Sequence, residues 1–203
     1  MKKVAVLCFA LLAFAAIFYF VDASRRSAPL DRLFQVGEFQ LTTQAGTPFN
    51  SSSLQGKVWI ADFIFTHCPT ICPTLTEKMS ALTRTFAREP NVRFISISID
   101  PVADTPAVLA EYARTRHLDL SRWTLLTGPQ DAIIHTIVNG FHQPVGERIP
   151  RTINREIYDM LHSGRFTLVD QHGIARGLYE TDPEGLEQLE HDVNTLLETE
   201  GNQ

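Results

Sequence analysis

Two cysteines stand four positions apart, Cys68 and Cys72, each followed by a proline in the stretch FTHCPTICPTL at residues 65–75. A close pair of thiols has three uses. It exchanges electrons as a dithiol–disulfide couple, it holds a soft metal as two thiolates, or it staples a loop. Pro73 bears on the choice, because proline lacks an N–H and clashes with the carbonyl four residues back, so a regular helix is expected to start near Cys72–Pro73. Both sulfurs then lie near a helix N-terminus, whose partial positive charge favours thiolate, the form that a nucleophile and a metal ligand both need. Spacing separates the uses a little. Residues four apart on a helical turn have Cβ atoms about 5–6 Å apart, whereas a relaxed disulfide wants about 3.5–4.5 Å. A metal with sulfur bonds of ~2.3 Å spans the wider gap more easily. A loop adapts, so the pair leans towards metal with redox exchange still open. A staple is the weakest use, since closing so short a loop gains little entropy.

Two sulfurs are too few to enclose an ion, and imidazole is the natural complement to thiolate for copper. The chain has seven histidines. His67 adjoins Cys68, but neighbours in an extended approach point to opposite sides. His117, His135, His142, His172 and His191 sit on expected helices, loops or turns with no positional reason to meet the pair. His162 lies just before the strand RFTLVD, on a loop that enters a hairpin beside the cysteine loop, and spacing alone leaves it one candidate among several. The binuclear copper centre of oxidases would need a histidine four residues after the second cysteine and a methionine three beyond it. Thr76 and Met79 stand there, so the domain is not itself that centre.

The elements that must position these groups are legible. GEFQLTTQAGTPF reads as a short hairpin with Gly46 in its turn. KVWIADFIF (57–65) is a nearly continuous apolar run, as in a central strand covered on both faces. A helix from Pro73 carries Leu75, Met79, Leu82 and Phe86 on one stripe, and VRFISISI (92–99) is a second central strand. Thr105–Pro106 reads as an N-cap and first helical residue, and WTLLT (123–127) as a strand. PQDAIIHTIVNGF reads as a helix, residues 142–161 as an inserted irregular loop, and RFTLVDQHGIARGLYE (165–180) as two strands about a turn. The closing helix begins at Pro183 with Leu186, Leu189, Val193 and Leu197 on its apolar face. This is a thioredoxin-like α/β order, a central mixed sheet flanked by helices. The cysteine pair falls at the carboxyl end of a central strand, where such folds put their ligands.

Composition sets the frame. The chain has 203 residues, 44% hydrophobic and a net charge of −5, which suits one globular domain and gives no reason to expect a nucleic-acid partner. Val4 to Val21 are eighteen positions without a charge, just long enough to cross a bilayer, after Lys2 and Lys3. Residues 1–23 are therefore expected to form a membrane anchor, one N-terminal transmembrane helix, with a cleaved signal as the alternative. Cys8 inside the run reads as a membrane-buried small hydrophobe. Residues 24–36 read as a tether and 37–200 as the domain, exported across the membrane. In an oxidising compartment the lone pair Cys68 and Cys72 would form a disulfide unless it is kept reduced or filled with metal.

The segments FIFTHCPTICPTL, ISISIDPVADTP and LHSGRFTLVDQHG resemble those of the Sco (SenC) family of copper-delivery proteins, which are membrane-anchored thioredoxin-fold domains. The likeness runs from about Val36 to the last helix. It implies that Cys68, Cys72 and His162 are the copper ligands. It also implies delivery of copper to the copper centre of a respiratory oxidase during assembly. The implied partners are the copper-site subunit of that oxidase and other copper chaperones or thiol reductants, and the implied location is the periplasm or the equivalent intermembrane space. Such a chain is a carrier more than an enzyme. The alternatives are a thiol-disulfide oxidoreductase acting on the cysteines of that centre or of other exported proteins, and a copper or redox sensor. Gly164, Arg165 and Thr167 depart from the more apolar, aromatic stretch of many relatives. Asp100, Pro101, Asp104, Thr105 and Pro106 cap a helix and shape a loop on the simplest reading, with partner docking as the other.

Overall fold

The computed structural model describes residues 30–67, 71–141 and 164–200. Among them, eight strands form one mixed sheet in the order β1-β8-β7-β4-β5-β6-β2-β3. The strands are β1 (Phe34–Gln35), β2 (Gln40–Thr43), β3 (Pro48–Asn50), β4 (Val58–Ile64), β5 (Val92–Ser98), β6 (Trp123–Thr127), β7 (Phe166–Val169) and β8 (Ile174–Tyr179). The helices are α1 (Ile71–Thr85), α2 (Pro106–Thr115), α3 (Gln130–His135) and α4 (Pro183–Glu200), with a 3-10 turn at Ser51–Leu54. The apolar run at 58–64 becomes the middle strand, and only Phe63 on it is more than marginally exposed. It pairs in parallel with β5 and antiparallel with β7, while β5 pairs in parallel with β6. Parallel neighbours need a crossover, and α1 and α2 supply the two. Thr76 of α1 and Tyr112 of α2 share a buried hydrogen bond of 2.7 Å, so the two crossovers lie on one face of the sheet.

Alternation along β4 sorts its side chains between two cores. Trp59 and Phe63 meet the ring of Phe141 edge-on, at centroid distances of 5.9 and 5.1 Å, and Phe39 joins them. On the other face Leu75, Met79, Leu82 and Phe86 of α1 are all buried, as their spacing predicts. Burying each such side chain contributes about 1.5–3 kcal/mol.

Several boundaries differ from expectation, each for a local reason. Helix α1 begins at Ile71, so Pro73 is its third residue, where the missing N–H would have had no intrahelical partner in any case. The helix after β6 is α-helical only to His135 and continues as a π-turn, Thr136–Gly140, closed by Phe141 N–H donating to the Thr136 carbonyl. The extra residue brings Gly140 against Gly37, where a Cβ would stand 3.2 Å from the Gly140 Cα. On α4 the buried residues are Leu189, Val193 and Leu196, not Leu197, and Asp192 is buried beside them. The segment expected as a tether contributes β1, paired with β8, and buries Val36. The turn between β7 and β8 places Gly173 at φ 76°, a conformation open to glycine.

The expected membrane-spanning residues and the whole of the inserted loop at 142–161 lie outside the described residues. Among the described residues, no helix is long and apolar enough to cross a membrane.

Candidate metal centre

The carboxyl ends of β4 and β5 lie side by side, with Ile64 opposite Ser98 and the Ile99 N–H donating 2.9 Å to the Ile64 carbonyl. Chain leaving β4 passes Phe65, Thr66 and His67, and α1 starts at Ile71. The cysteine segment therefore joins a central strand to a helix N-terminus. Cys72 is the second residue of α1 and is only 3% exposed. In the first turn of α1, Cys72 lies within electrostatic reach of the buried phenol of Tyr112. Cys68 and His162 lie outside the described residues. Among the described residues, no group of three or more His, Cys, Asp or Glu side chains is close enough to hold a metal ion.

A carboxyl lies beneath this site. Asp62, in the middle of β4, is fully buried and accepts a hydrogen bond from Ser96 Oγ at 2.5 Å on β5. Ser96 in turn accepts from the indole N–H of Trp123 at 2.9 Å on β6. The second oxygen of Asp62 has no hydrogen-bond partner among the described residues. Burial pushes this carboxyl up to about 7, against the lowering pull of the Ser96 hydroxyl. Burial likewise raises the Tyr112 phenol, with Thr76 and Arg116 working the other way and Cys72 and Asp62 adding to the rise.

A second carboxylate, Asp104, closes the loop between β5 and α2. The cap of α2 belongs to its neighbour, since Thr105 Oγ1 accepts from the Val108 N–H at 3.4 Å. The Asp104 side chain turns away to the strand ends, where it accepts from Ser98 Oγ at 2.6 Å and from both the N–H and the hydroxyl of Thr66, at 3.0 and 2.5 Å. With its proton directed to Asp104, Thr66 Oγ1 can only accept from His67 Nδ1, 3.1 Å away, which leaves the lone pair of that exposed ring on Nε2. Asp100 stays in the loop and accepts from the Ala103 N–H. Across the sheet, Arg165 pairs with Glu180 at 2.5 Å on the surface, a contact of small energetic weight.

Sequence reasoning did not single out Asp62 or Thr66. For Asp62 the signal was present, as an acid in the middle of a strand otherwise apolar on both faces.

The SCO1/SenC family model matches residues 28–198. The SCO1 protein homolog of Bacillus subtilis is 33% identical over 171 residues, 81% of this chain and 88% of that protein. The solved structure of BsSco, described as a member of the Sco family of cytochrome c oxidase assembly proteins with a disulfide switch, is 32% identical. It aligns with a TM-score of 0.66 over 83% of this chain and 96% of its own. Yeast Sco1, solved with copper bound, is 25% identical, with a TM-score of 0.62 over 81% of this chain and 95% of its own. A family match over residues 28–198, and relatives this similar along most of both chains, make the protein a member of the SCO1/SenC family.

Proposed function

We propose that this protein binds a copper ion through Cys68, Cys72 and His162 and hands it to the copper-site subunit of a respiratory oxidase during assembly. The reading is carried by the location of Cys72. It stands in the first turn of the helix that follows a central parallel strand, inside a segment shared with a family whose yeast member has been solved with copper bound. Two thiolates and one imidazole are a soft donor set that suits copper and leaves room for an incoming ligand. Binding releases the thiol protons, and joining the two sulfurs in a disulfide removes two of the three donors, so loading and redox state are coupled. Residues 1–23 anchor the chain in the membrane, and the domain faces the periplasm or the equivalent intermembrane space.

The test is copper binding by the reduced full-length protein in detergent. One tightly held copper per chain is expected for the wild type, with a sharp loss of affinity in Cys68→Ser, Cys72→Ser and His162→Ala. Retention of copper by both cysteine variants would sink the carrier reading, and retention by His162→Ala alone would remove that residue from the ligand set.

The second reading is reduction of the oxidase's own cysteine pair. It is favoured by the disulfide switch described for BsSco. Two electrons would pass from Cys68 and Cys72 to the target disulfide, leaving a disulfide here and two thiols there. His162→Ala distinguishes the readings, because a pure oxidoreductase keeps its dithiol exchange without the imidazole.

A further inference from the structure

Two segments 38 residues apart in sequence meet at one carboxylate. Asp104 is fully buried, and among the described residues no cationic side chain pairs with it. An uncompensated buried charge is unfavourable unless hydrogen bonds satisfy it, and here three do. One holds Asp104 to the sheet through the Ser98 hydroxyl, at the last residue of β5. The other two grip Thr66, one at its backbone N–H and one at its hydroxyl.

The base of this clamp is rigid. The Asp104 N–H donates to the Asp100 carbonyl at 2.8 Å, and the Asp100 N–H donates to Ser98 Oγ at 3.1 Å. Capping does not explain the side chain's direction, because Thr105 performs that task. A single bond to Thr66 would leave the chain free to swivel about it. Two bonds, to main chain and side chain, fix both the amide plane and the side-chain rotamer of the residue two positions before Cys68.

We propose that Asp104 is a positioning residue for the metal-binding thiols, fixing through Thr66 the direction in which the chain enters the Cys68–Cys72 segment. This rests on the copper reading above. A pair of sulfurs held in one arrangement before the metal arrives binds more tightly than a pair that must be ordered on binding. The same restraint sets how easily the two sulfurs close into a disulfide, whose geometry is narrow.

The experiment uses the full-length protein in detergent, with Cu(I) delivered in competition with a chromogenic chelator and the thiol pair poised in glutathione buffers. Asp104→Asn and Thr66→Val should weaken Cu(I) binding about 10–100-fold, as loss of outer-shell partners of metal ligands generally does. Both should also shift the Cys68–Cys72 reduction potential. Thr66→Ser, which keeps the hydroxyl, should restore wild-type affinity and potential. Val193→Ala, at a buried position of helix α4 outside the Asp104–Thr66–Ser98 clamp, lowers stability and should leave both readouts at wild type.

The proposal is overturned if Thr66→Val binds and titrates as wild type, if Thr66→Ser fails to rescue, or if Val193→Ala weakens copper as much. Should Asp104→Asn fail to fold, Thr66→Val decides alone, because it keeps the charge and its bonds to Ser98 and to the Thr66 N–H. Cys72→Ser run alongside separates the two levels. Unchanged copper binding there defeats the copper reading, while its loss beside a wild-type Thr66→Val defeats only the positioning role of Asp104.

Discussion

Asp62 carries a prediction about pH. Its carboxyl, normally near 3.8, is raised to about 7 by burial, so the folded protein holds a proton that the unfolded chain has lost between roughly pH 4 and 7. Stability from this group is thus greatest at the acid end of that window and declines as pH rises through it, by on the order of a few kcal/mol in total. In Asp62→Asn, which still offers Ser96 an acceptor, that decline should vanish. Denaturant unfolding of both proteins at pH 4.5, 6 and 8 measures it, and parallel pH profiles would refute it. Ser96→Ala should cost about 2–4 kcal/mol at any pH, since it strands the Trp123 N–H and the Asp62 carboxyl together. Cys68 and Cys72 announce chemistry by type and spacing in the sequence alone, and of the two the structure describes Cys72. Asp104 was legible only as a loop-former, because its bond to Thr66 depends on two parallel strands ending side by side.

Elements whose pattern is local were readable, and those set by distant partners were not. The strands at 58–64 and 123–127, and the Thr105–Pro106 start of α2, follow from runs and caps. The π-turn at Thr136–Gly140 exists because Phe141 must reach the rings of Trp59, Phe63 and Phe39, which lie far away in sequence. Phe141→Ala should therefore lower stability by about 3–5 kcal/mol, as removal of a buried aromatic does, and relax the turn. Thermal unfolding reads the first effect and amide exchange across 136–141 the second. A loss under 1 kcal/mol would mean that the ring does not hold the turn in place.

At the level of the whole domain, the sheet depends on a strand of two residues that no periodicity could reveal. Leu33 and Val36 donate to the carbonyls of Ala175 and Gly173, and Arg176 Nε donates 2.8 Å to the Asp31 carbonyl. A soluble chain beginning at Gly37 should melt several degrees below one beginning at Asp31, since each lost bond is worth about 1 kcal/mol and each kcal/mol about 2–4 °C at this size. Equal melting points would show that β1 is dispensable. The far margin, β3, is only three residues long and opens with Pro48. Among the described residues both border strands, β1 and β3, are very short, which leaves a visiting polypeptide little ladder to extend along either of them. Encounters at those margins then fall to side chains and loops, a mode that favours quick parting over lasting attachment.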